Sequence, residues 1–72
     1  MSNETTFIIF CLENYKVHCG LNGHETYSLF EQYGVLDYLH EFYDVLHTTG
    51  HNYINNDIDS FLAERGYTTA AK

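Results

Sequence analysis

The chain has 72 residues, a mass of 8.4 kDa and a formal net charge of −7, from ten acidic and three basic residues. That length holds one small domain and excludes a large multi-step enzyme or a dinucleotide-binding Rossmann unit. A hydrophobic share of 44%, with seven Tyr and five Phe, excludes a disordered chain despite the charge.

Residues 5–19 predict the first helix. Ile8, Cys11, Leu12, Tyr15 and Cys19 recur at i, i+3, i+4, i+7 and i+11, which is one helical face. Asn3, Thr5 or Thr6 offers an N-cap, and Gly20 a stop. Phe10 and Val17, with Ile9 nearby, fall on a different face that one-sided packing leaves wet. Cys11 and Cys19 lie two turns apart, about 12 Å along a helix axis, beyond the roughly 7 Å that a disulfide allows between Cα atoms. Two free thiols fit a reducing, cytoplasmic setting.

Asn22 stands three residues before Glu25, a capping-box spacing that predicts the start of a second helix. It carries Tyr27, Leu29, Phe30 and Tyr33 and ends at Gly34. Residues 35–47 predict a third helix, with Val35, Leu39, Phe42 and Leu46 as its apolar stripe. Tyr38 and Val45 widen the stripe on one side, Leu36 and Tyr43 on the other. Asp37, Glu41 and Asp44 fall opposite.

Residues 51–56 suggest a loop, because asparagine favours turns and caps over helix interiors. Asn55 or Asn56 is then expected to cap a last helix reaching Arg65, with Ile58, Phe61 and Leu62 turned inward and Gly66 as its stop. The expected architecture is all-α, a small single-domain bundle of about four short helices in residues 1–66, with 67–72 as a flexible tail. Strand alternation is not sustained anywhere, and there is no proline to break a helix. The apolar run from Phe7 to Leu12 is too short for a signal sequence or a membrane span, so no membrane partner is expected.

The segment Glu41-Phe-Tyr-Asp-Val-Leu-His47-Thr-Thr-Gly50 resembles a family of short bacterial proteins of unknown function marked by an Asp-Val-Leu-His motif. The likeness extends to Phe10-Cys-Leu-Glu-Asn14, the Leu21-Asn-Gly turn, Tyr27 and the stretch from Tyr53 to Asp57. The resemblance implies no established activity. It implies genes that sit beside those of small ADP-ribosyltransferase-like proteins, and hence an antitoxin-like or regulatory partner of such a protein.

His40, Asp44 and His47 recur at i, i+4 and i+7 on the third helix, a spacing that suits a divalent metal or a hydrolytic site. The structural reading is stronger. His47 at a helix end bonds the last carbonyls, Gly50 stops the helix, and Tyr43 and Tyr53 pack across the turn, with Asp44 one turn before His47. Cys11 and Cys19 sit on an apolar face, where a cysteine acts as a small hydrophobe rather than a nucleophile. No phosphate loop, nucleophile elbow or Cys-x-x-Cys pair is present, so neither catalytic residue nor cofactor is expected.

Lys16, Arg65 and Lys72 are the only fixed positive charges, too few for a nucleic-acid backbone. The acidic surface suits a basic protein, or mimicry of nucleic acid toward such a protein. Phe10, Val17, Tyr33 and Tyr38 are the candidate partner-binding residues, whether the partner is another protein or a second copy of the chain. These features together favour a non-enzymatic protein-interaction module.

Overall fold

Burial of one stripe decides where the first helix sits. In the computed structural model, which describes residues 3–67, α1 spans Asn3–Cys19 and buries Phe7, Ile8, Cys11, Tyr15 and Cys19. Its end is closed by two bonds, Gly20 N–H to Val17 O at 3.3 Å and Leu21 N–H to Lys16 O at 3.0 Å. Both cysteines are buried, and neither is in a disulfide.

α2, Gly23–Tyr33, starts at the expected box. The Asn22 side chain accepts from Glu25 N–H at 2.7 Å, and Glu25 Oε1 accepts from Asn22 N–H at 3.0 Å. The helix buries Thr26, Leu29 and Phe30, while Tyr27 faces outward. Thr26 is tolerated inside because its hydroxyl donates to Asn22 O at 2.8 Å. Gly34, at φ +78°, reverses the chain in a single residue, so α3 begins at once.

The third segment is not one helix. α3 covers Val35–Glu41 and α4 covers Tyr43–Leu46, with the break at Phe42 (φ −104°, ψ 20°). Val35, Leu39 and Leu46 are buried as the stripe requires, but Phe42 is exposed. The change of direction turns Tyr43 onto Phe7, edge to face at 5.4 Å, and keeps Leu46 inside. Phe42 stays outside against Tyr38 at 5.0 Å.

The expected loop at 51–56 is helix. α5 runs His51–Glu64 from Gly50, which makes no side-chain cap bond. Asn55 is a buried interior residue rather than a cap. Ile54, Ile58 and Leu62 recur every four residues and are all buried, so packing overrides the weak helix propensity of Asn52, Asn55 and Asn56. At its far end Gly66 N–H bonds Ala63 O and Tyr67 N–H bonds Leu62 O. That closure places Tyr67 against Tyr33 at 5.5 Å rather than in a tail. Residues 68–72 lie outside the described residues.

The fold is therefore all-α, with five helices and no strand among the described residues. α1 packs against α2, α3 and α5, and α3 joins α2 to α5. Tyr15, Phe30, Leu39, Ile54, Ile58 and Leu62 are the largest fully buried side chains and form its centre. None of the described helices is long and apolar enough to cross a membrane.

Candidate functional site

Packing α1 on three neighbours uses one side of it and leaves the other bare. Ile9 and Phe10 are each 44% exposed and Val17 is 78% exposed. A chain of this size has few interior positions, and the turn after α4 adds a concave flank to this side. Asn3, Thr6, Phe7 and Phe10 of α1 face Tyr43, His47 and Thr49 across a groove of about 380 Å³. Phe7, Phe10 and Tyr43 supply an aromatic lining; Asn3, Thr6, His47 and Thr49 supply polar groups.

The groove wall is fixed by short-range bonds. His47 Nδ1–H donates to Tyr43 O at 2.8 Å, and the imidazole stacks on the Tyr43 ring at 4.5 Å and 15°. The Thr48 and Thr49 hydroxyls donate to Val45 O and Leu46 O at 3.0 and 2.7 Å. These bonds satisfy carbonyls at the helix end and hold the turn before Gly50. Tyr53 is exposed on α5, and Tyr43 packs on Phe7 and His47. The expected packing of Tyr43 on Tyr53 is thus replaced by contacts that the Phe42 bend creates.

The four candidate partner-binding residues divide into two pairs. Phe10 and Val17 are open to solvent. Tyr33 and Tyr38 are half-buried and engaged by the chain itself. Tyr33 packs on Tyr67. Tyr38 packs on Phe61 at 4.4 Å and donates its hydroxyl proton to Asp57. The His40, Asp44 and His47 set does not converge. The bend at Phe42 interrupts the helical face they were expected to share, His40 Nδ1 pairs with Glu4 Oε1 at 3.2 Å, and His47 bonds its own helix end.

A polar cluster that the sequence did not single out lies between α1 and α5. The Tyr15 hydroxyl donates to Asp59 Oδ1 at 2.5 Å, and His18 Nε2 meets Asp59 Oδ2 at 2.8 Å. Cys19 adjoins them: among the described residues, the ligand atoms of His18, Cys19 and Asp59 lie within 4.8 Å of one another. Burial first, then the bond to Asp59 and the neighbouring Cys19, push the Tyr15 hydroxyl above its ordinary pKa. Asp59 lies four residues after Asn55 and three before Leu62, so it shares their edge of α5. The expected last helix already held Asp59; its meeting with Tyr15 and His18 is a long-range contact that no local pattern announces.

The Cys11 thiol, pushed up to about 12 by burial, stays protonated and unreactive at neutral pH. The grooves lined by Phe10, by Tyr38 and by Leu29 do not include His18, Cys19 or Asp59. The cluster therefore has no substrate cleft of its own in any of them.

Comparison with curated proteins and with solved structures gives no match. A family match covers residues 6–65, from the first turn of α1 to the end of α5. By that match the chain belongs to the family described as Protein of unknown function (DUF3791).

Proposed function

We propose that the chain is a non-enzymatic interaction module that docks a partner protein on the bare side of α1 and in the adjoining groove. The carrying observation is the exposure of Ile9, Phe10 and Val17 on one helix, beside an aromatic-lined groove. Isolated exposed hydrophobics are ordinary, but Phe10 belongs both to the outer face of α1 and to the groove, which ties that face to the aromatic lining. Aromatic anchors in a concave site with a polar edge are what protein interfaces use for most of their binding energy.

Charge selects the partner's chemistry. A net charge of −7 favours a protein with a basic surface around an apolar knob, and speeds their encounter at low salt. The family resemblance directs the choice to an ADP-ribosyltransferase-like protein, with this chain as its antitoxin-like or regulatory subunit. The test is a calorimetric titration of this chain with such a protein from the same operon. The reading expects stoichiometric binding that weakens with salt, and a loss of at least about tenfold, or 1.4 kcal/mol, for Phe10→Glu. Val17→Glu is expected to act in the same direction. An unchanged affinity in both folded variants contradicts the docking surface; no binding by the natural chain contradicts the partner.

A further inference from the structure

We infer that His18, Cys19 and Asp59 form a zinc-binding site that joins the end of α1 to the middle of α5. One imidazole nitrogen, one thiolate sulfur and one carboxylate oxygen are the three ligand types that zinc takes most readily. All three ligand atoms lie within 4.8 Å of one another. They come from two helices that the core already holds together, so the site is assembled by the fold rather than by a flexible loop.

The spacing of the imidazole and the carboxylate leaves little to adjust. Tetrahedral zinc with bonds near 2.0 Å to nitrogen and oxygen separates those atoms by about 3.3 Å. His18 Nε2 and Asp59 Oδ2 stand 2.8 Å apart, so opening by roughly 0.5 Å admits the ion. Tyr15 is the positioning residue. It is fully buried, and by donating to Asp59 Oδ1 it holds the carboxylate with Oδ2 toward His18. A hydrogen bond on the second oxygen is how metal-binding carboxylates are commonly oriented. The His18 and Asp59 side chains keep 25% and 28% of their surface exposed, which leaves the fourth position to water. Binding sends the Cys19 thiol proton to solvent. It also requires the His18 tautomer with its proton on Nδ1, so that the Nε2 lone pair faces the ion.

This inference is independent of the docking surface, since none of its residues lines the Phe10 groove. The test uses the full chain purified without a polyhistidine tag. Zn2+ is titrated in competition with a chromophoric chelator, and Co2+ then serves as a spectroscopic probe. The expected result is one Zn2+ per chain with sub-micromolar affinity, and a thiolate-to-cobalt charge-transfer band. Cys19→Ser removes that band and weakens Zn2+ binding by at least about a hundredfold; Tyr15→Phe weakens it by roughly tenfold with the band retained. His18→Gln, at a part-exposed position, gives a folded variant that also loses affinity. The absence of saturable Zn2+ binding by the natural chain overturns the proposal. So does Zn2+ binding that folded Cys19→Ser and His18→Gln variants retain at full strength.

Discussion

Asn55 is 5% exposed, and its Oδ1 is buried with no hydrogen-bond partner among the described residues. A buried carbonyl oxygen that gives up water and gains nothing costs about 1–3 kcal/mol. Asn55→Leu keeps the branched shape and removes that cost. It is expected to raise stability by about 1 kcal/mol, read as a higher urea midpoint at unchanged slope. A fall in stability would mean that the amide is held by a contact worth more than its burial costs. Phe10 and Val17 show the opposite situation. Their exposure follows from helical geometry alone, because seven residues return them to one side of α1 and the buried stripe occupies another. That part of the candidate surface was legible in the sequence. The exchange of Tyr38 from surface to packing was not, since it depends on Phe61 and Asp57 of α5.

At the scale of elements, α1 and α2 matched their expectation, while the strongly amphipathic segment 35–47 divided in two. Asn22 and Glu25 announced α2, and the Ile8, Cys11, Tyr15 and Cys19 stripe announced α1. Two features needed tertiary contacts. The Phe42 break follows from Tyr43 meeting Phe7, 36 residues earlier in the chain. The early start of α5 follows from burial of Ile54 in the core, against the turn preference of its asparagines. The cluster of Tyr15, His18, Cys19 and Asp59 likewise depends on α1 meeting α5.

Two glycines make a test of the connections. A Cβ at Gly34 or at Gly23 meets nothing within 4 Å, so space does not distinguish them. Backbone conformation does: Gly34 sits at φ +78°, whereas Gly23 opens α2 without a positive φ. Gly34→Ala is expected to destabilise by about 1–2 kcal/mol, and Gly23→Ala to stabilise by about 0.5 kcal/mol. Denaturant unfolding of the two variants checks the opposite signs.

Across the whole molecule, the buried acids set an alkaline limit. Burial pushes the Cys11 thiol from 9.0 up to about 12. Burial first, and then the bond to Asp57, pushes the Tyr38 hydroxyl from 10.0 up to about 12. In both, the fold favours the protonated form, so the folded chain holds protons that the unfolded chain releases. Their contribution is complete below the ordinary pKa values and is lost as pH rises through about 12. Unfolding free energy measured across alkaline pH is expected to fall from near pH 9 upward. In Tyr38→Phe the fall is shallower, because one of these groups no longer titrates. Equal slopes in both proteins would show that Tyr38 ionises as freely in the fold as outside it.

The bare side of α1 carries the functional reading, and site-specific photocrosslinking in the native host tests it most directly. A photoreactive phenylalanine analogue is placed at Phe10, at Val17 or at Glu31, an exposed position on α2. The account predicts one shared protein adduct of defined mass at Phe10 and Val17, with none at Glu31. Adducts of equal yield at all three positions, or no adduct at Phe10 and Val17, would contradict it.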